Sequence, residues 1–120
     1  MATDDSTLEL DLDSLTPLHW LAIAAALVTA GVHLGLGVTI GGFFGTLCLF
    51  ATVGFAAGIA AVLVGWRRRL VYALGIPYTA GQIVLWYALN EPPFPTSHLV
   101  DKAAQVVLIA ALVALLRRER

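Results

Sequence analysis

The stretch GGFFGTLCLFATVGFAAGIAAVLVGWRRR, Gly41–Arg69, decides the fold. It carries no charged side chain from Gly41 to Trp66, and then three arginines in a row. A helix needs about 20 apolar residues to cross the hydrocarbon core of a bilayer. It is also one of the few structures that satisfy their own backbone polar groups there. The segment therefore reads as a membrane span that stops at a basic cluster.

Three more runs of the same kind flank it: Leu18–Val38, Leu70–Leu89 and Leu99–Leu116, with Asp101 and Lys102 the only charges among them. The chain of 120 residues is 59% hydrophobic and 12% charged. An average soluble domain carries about 25% charged residues. The expectation is an all-α integral membrane four-helix bundle with spans at about 17–38, 41–66, 70–89 and 97–116. One membrane domain, 15–120, follows an acidic tail, 1–14.

Charge sets the expected topology. Arg67, Arg68 and Arg69 follow the second span, and Arg117, Arg118 and Arg120 follow the fourth. Basic residues collect in short cytoplasmic segments. Both clusters then lie on the cytoplasmic side, as do both termini. The Gly35–Gly42 turn and the Asn90–Ser97 loop face outward. The same arginines suit anionic lipid headgroups. Five acids, Asp4, Asp5, Glu9, Asp11 and Asp13, crowd the first thirteen residues. That tail lacks the basic start of a signal peptide and is expected to be disordered. A net charge of −1 gives no pull toward nucleic acid. Cys48 has no second thiol to pair with and reads as a small apolar residue.

Local signals refine the spans. Thr16 is placed to cap the first helix, and Pro17 suits its first turn. Gly31, Gly35 and Gly37 weaken its outer end. Along the second span, small residues recur at helical spacing: Gly41, Gly45, Ala51, Gly54, Gly58, Ala61 and Gly65. Such stripes let helices approach closely in lipid, within one chain or between copies. A homo-oligomer or a larger membrane complex is therefore expected. Pro77 predicts a kink in the third span. Trp20 and Trp66 mark one membrane interface, Trp86 and Tyr87 the other. The loop NEPPFPTS should be stiff, with Thr96 or Ser97 capping the fourth helix. No internal repeat supports an inverted-repeat transporter.

Polar residues inside spans are costly and face protein or water. At about 1.5 Å per residue, His33, Gln82 and Gln105 share one level in the outer half. Helical spacing gathers Ala26, Thr29 and His33 on one face, and Gly75, Tyr78, Thr79, Gln82 and Trp86 on another. It puts His98, Asp101, Lys102 and Gln105 on a third. Convergence of these faces would make an outward polar pocket rimmed by Glu91, His98, Asp101 and Lys102. The alternative is a set of interhelical hydrogen bonds that hold the bundle. Adjacent residues do not face each other on a helix, so Asp101 and Lys102 are expected to flank the stripe unpaired. Asp101 then acts on the helix dipole. His33 and His98 are the one pair open to a haem, but they differ in depth by more than a turn. No cofactor and no metal site is expected.

No nucleophile–base pair, phosphate loop or paired carboxylate occurs, so the expected function is not enzymatic. A structural or accessory subunit packing through its Gly/Ala stripes is the leading reading. A small-solute or proton-linked transporter or channel using the polar pocket is the second. A haem- or quinone-binding redox subunit is the third.

The segments LTPLHWLAI (Leu15–Ile23), GVHLGLG (Gly31–Gly37), RRRLVYALGIPYTAGQIVLWYALN (Arg67–Asn90) and DKAAQVVLIAALVALLRRE (Asp101–Glu119) resemble an uncharacterised haloarchaeal family of small four-span membrane proteins, a domain of unknown function. The resemblance implies an archaeal plasma membrane and a high-salt cytoplasm, which the acidic tail and the preference for Arg over Lys fit. It carries over no site residue. Small multidrug transporters carry a Glu within the first span, and none occurs here.

Overall fold

A computed structural model describes residues 9–119. Four helices follow one another: α1 (Pro17–Ile40), α2 (Gly42–Leu63), α3 (Arg68–Leu89) and α4 (Thr96–Arg118). No strand occurs among the described residues. Helices α1, α2 and α4 are long and apolar enough to cross a membrane. Their 22 to 24 residues correspond to about 33–36 Å of rise, against about 30 Å of hydrocarbon.

Each boundary has a local cause. The Thr16 backbone N–H donates to Nδ1 of His19 at 3.0 Å, and the Thr16 hydroxyl bonds the same nitrogen at 2.9 Å. With Pro17 in the first turn, this closes the N-terminus of α1. The connection to α2 is tight because Gly41 and Gly42 both adopt positive φ, 69° and 64°. Gly31, Gly35 and Gly37 do not break α1; its ladder runs through them to Ile40. Helix α4 begins at Thr96 with Pro95 as its cap, so neither Thr96 nor Ser97 caps it. Proline there fixes an extended backbone ahead of the first turn.

Helix α2 ends at Leu63, earlier than the hydropathy suggests. Gly65 takes the left-handed position (φ 72°). Its N–H and that of Trp66 return to the carbonyls of Val62 and Ala61, the Schellman arrangement. Two further partners complete this end. The Asp11 N–H donates to Leu63 O at 2.7 Å. Arg68 donates from Nε and Nη2 to Val62 O at 2.9 and 2.7 Å, and from Nη1 to the Ser14 hydroxyl at 2.7 Å. The end of the expected disordered tail is thus ordered, with a 3₁₀ turn at Leu12–Ser14. Carbonyls at a helix C-terminus need donors, and this segment supplies them. Residues 1–8, including Asp4 and Asp5, and Arg120 lie outside the described residues.

Arg68 is therefore used inside the chain rather than offered to lipid, whereas Arg67 and Arg69 are exposed. Arg68→Ala should cost about 2–3 kcal/mol in thermal unfolding, the scale of charge-assisted hydrogen bonds lost at a helix end. Arg67→Ala and Arg69→Ala should stay within about 0.5 kcal/mol. Equal effects at the three positions would refute the clamp.

The helices adjoin in the order α2–α1–α4–α3, and among neighbouring helices α2 and α3 touch least. On α1 the buried residues His19, Ala22, Ala26, Thr29 and His33 recur every three or four positions. On α4 the set is Asp101, Gln105, Leu108, Leu112 and Leu115. These two stripes form an antiparallel seam that is polar at one end and Ala/Leu-rich at the other. Outward faces are apolar: Phe43 is 73% exposed and Phe50 69%.

The Gly/Ala stripe of α2 is largely spent within the chain. A Cβ on Gly45 would lie 2.8 Å from the Gly37 carbonyl oxygen of α1, and one on Gly54 would collide with the Tyr78 hydroxyl of α3. At Gly58 the nearest atom, on Val71, is 3.9 Å away. Gly41 and Gly65 belong to turns rather than to the helix face, because both need positive φ.

Candidate functional site: a polar relay and an apolar cavity

Most of the predicted polar level assembles, but as a closed relay. Thr29 donates its hydroxyl to Asp101 Oδ1 in a short hydrogen bond. His33 Nδ1 lies 2.8 Å from the Thr29 carbonyl, to which it donates, and 3.6 Å from Asp101 Oδ1. Lys102 Nζ reaches Asp101 Oδ2 at 2.8 Å and Gln105 Oε1 at 2.8 Å. Gln105 Nε2 then donates to Gln82 Oε1 at 3.0 Å. One continuous set of bonds thus joins α1, α4 and α3.

Two expectations about Asp101 fail here. It is 3% exposed, so it is neither a rim residue nor a free charge at the helix start. It also pairs with its neighbour Lys102. The Lys stem is long enough to fold its ammonium back over the helix, and burial leaves the carboxylate no water as an alternative partner.

Tyr78 and His98 stand apart from the relay. Tyr78 donates to the Ala51 carbonyl of α2 at 3.0 Å and stacks edge-on against Phe55. His98 Nδ1 accepts the Trp86 indole N–H at 3.1 Å. Trp86 is thereby turned toward α4, with Phe94 against its ring and the Lys102 ammonium 5.4 Å from its centroid. Only Tyr87 of the expected outer aromatic pair is fully exposed. His33 packs on Phe55, so His33 and His98 are engaged with different partners. No group of three His, Cys, Asp or Glu side chains is arranged for a metal among the described residues.

A different feature occupies the other half of the bundle. Where α2 and α3 part, a cavity of about 680 Å³ runs into the core. Its floor is Ala22, Ile23 and Ala26 of α1 with Leu108, Leu112 and Leu115 of α4. Its sides are Phe55, Gly58 and Val62 of α2 and Tyr72, Gly75 and Thr79 of α3. Exposed residues at its edge, Ala57, Trp66, Leu74 and Pro77, put the opening between α2 and α3. The volume is in the range of about 300–1,000 Å³ common to small-molecule sites.

Three residues of this wall hold polar atoms without a partner among the described residues: His19 Nε2, the Tyr72 hydroxyl and the Thr79 hydroxyl. His19 is 5% exposed, and Tyr72 and Thr79 are 0% exposed. Buried polar groups are nearly always hydrogen-bonded, and an unpaired one is costly. All three atoms are sealed within the wall and do not open onto the cavity itself. The sequence signal for them is modest. The α3 stripe Gly75–Thr79–Gln82–Trp86 continues one turn back to Tyr72, and His19 is a helix-start residue with one ring nitrogen left over.

No curated protein and no solved structure matches the chain. A family model described as a family of unknown function, DUF7475, matches residues 3–116. That match covers the four helices almost to the end of α4, together with both the relay and the cavity. The chain belongs to the DUF7475 family.

Proposed function

We propose that this is a non-enzymatic membrane protein that crosses the bilayer four times and serves as an accessory component by holding a lipophilic small molecule between α2 and α3. The observation that carries the reading is the apolar-lined cavity that opens between α2 and α3. Such a site suits a ligand that is mostly hydrocarbon and reaches it sideways from the lipid.

Helix α3 as a fourth span is supported by the way its residues sort. Tyr72 and Thr79 are buried, while Leu74, Val84 and Leu85 are 59–67% exposed. Its polar residues lower its hydropathy yet turn inward, which leaves an apolar outer face. Four spans with Arg67–Arg69 and Arg117–Arg118 on one side favour cytoplasmic termini. The resemblance to haloarchaeal proteins favours an archaeal plasma membrane. Transport along the polar level is the weaker reading, because its groups bond to one another. The stripe on α2 gives little support to a homo-oligomer, since it is spent within the chain.

The test is to purify the chain from native membranes in mild detergent, extract it with organic solvent, and identify what is released by mass spectrometry. A lipophilic compound near one per chain, lost when Gly58→Trp fills the cavity, is the expected result. Only bulk lipids in membrane proportions, unchanged by Gly58→Trp, would overturn the reading.

A further inference from the structure

The three consecutive arginines are used differently, and the difference marks a site. Arg68 spends its donors on Val62 O, the Ser14 hydroxyl and Asp11. Arg67 and Arg69 are exposed and have no carboxylate or hydrogen-bond acceptor among the described residues. Both line one open groove of about 450 Å³, together with Leu70 and Ala73. No acidic residue lines it. Leu70 and Ala73 are exposed and stand one turn apart on α3, and the exposed Pro77 continues their strip a turn further along the helix. At the other end, the Arg67 guanidinium lies 5.5 Å from the ring centroid of Trp66. Trp66 is itself exposed, an indole at the level where headgroups meet hydrocarbon.

We propose that this groove holds one anionic phospholipid, with its phosphate on Arg67 and Arg69 and a hydrocarbon chain against Leu70, Ala73 and Pro77. A guanidinium is a planar fork of N–H donors that matches phosphate oxygens. Two cations with no acid of their own in the groove leave the counter-charge to come from outside the chain. The apolar strip beside them suits a chain, so a soluble anion would fill only part of the groove. The groove shares no lining residue with the cavity between α2 and α3. The site therefore goes beyond the lipophilic-ligand reading and does not depend on it.

Arg67 also offers a way to separate binding from folding. It takes the left-handed conformation, with φ 44°, which glycine adopts with less strain. Arg67→Gly should leave Tm of the lipid-free protein equal or higher and still weaken lipid binding.

The test uses the full chain in phosphatidylcholine nanodiscs doped with phosphatidylglycerol, and counts by native mass spectrometry the lipid that stays on each chain after release. A cation at the membrane surface is worth about fivefold in anionic-lipid affinity. One phosphatidylglycerol per chain, retained at least about tenfold over phosphatidylcholine, is the expected result. Arg67→Gln/Arg69→Gln should abolish that preference. Ala73→Trp, which fills the groove and keeps both charges, should also release the lipid. Arg117→Gln/Arg118→Gln and Gly58→Trp should both retain it.

Equal retention of the two lipids would overturn the proposal. So would a loss in Arg117→Gln/Arg118→Gln as large as in Arg67→Gln/Arg69→Gln, because bulk charge would then account for the attraction. Displacement of phosphatidylglycerol by an equal concentration of glycerol phosphate would show an anion site to which the chain contributes nothing, and would overturn the lipid as its occupant.

Discussion

Asp101→Ala is expected to lower unfolding free energy by about 3–5 kcal/mol, the cost of breaking a buried charge pair from one side. The reason is what remains. Asp101 receives the Thr29 hydroxyl from α1 and holds the Lys102 ammonium at 2.8 Å. The Lys102 side chain is only 13% exposed. Without the carboxylate, that ammonium keeps Gln105 as its one bonded partner among the described residues and sits at a depth where charge is costly. Thr29→Val removes a single hydrogen bond and should cost about 1 kcal/mol.

The double variant Asp101→Ala/Lys102→Met separates pairing from mere presence of the carboxylate. Removing both charges together should recover at least half of the loss, because an apolar replacement of a whole buried pair is often close to neutral. Thermal unfolding of the four proteins in one detergent gives the cycle. Additive losses from Asp101→Ala and Lys102→Met would show that the two side chains are not coupled. The relay would then be a chance alignment of polar groups.

How far these features were legible depends on the range over which each interaction acts. Helix bounds follow from hydropathy, from Thr16–Pro17 and from the glycine turns, all local in sequence, so α1, α3 and α4 fall within a few residues of expectation. The level shared by His33, Gln82 and Gln105 follows from rise per residue, and Gln82 and Gln105 do bond. What periodicity cannot carry is which helices are neighbours. It does not reveal that α2 and α3 part, and that parting makes the cavity. It also misleads at Asp101 and Lys102, where the rule concerns Cβ positions and the contact is made by the tip of a four-carbon stem. Arg68 is misread for a related reason. Charge statistics treat three adjacent arginines alike, while the unfilled carbonyls at Val62 and Leu63 single out one of them.

The small residues of α2 should separate into three grades when each is changed to alanine. Gly45 comes first. Its added Cβ meets the Gly37 carbonyl oxygen at 2.8 Å, and a Cβ on Gly37 would in turn meet Gly45 O at 3.0 Å. Two backbones are in contact there, and neither can rotate away. Relief requires α1 and α2 to separate, and the expected cost is about 1–3 kcal/mol, as for overpacking a core. Gly54 is intermediate. Its Cβ meets the hydroxyl end of Tyr78, which can swing out at the loss of its bond to Ala51 O, about 1 kcal/mol. Gly58 meets nothing nearer than 3.9 Å. There the better helix propensity of alanine, up to about 1 kcal/mol in water, makes the change neutral or stabilising. The order Gly45 > Gly54 > Gly58 in loss of Tm is the expected result. If Gly58→Ala were the most damaging, the stripe would be packing against something other than α1 and α3, and a second copy of the chain would become the partner to seek.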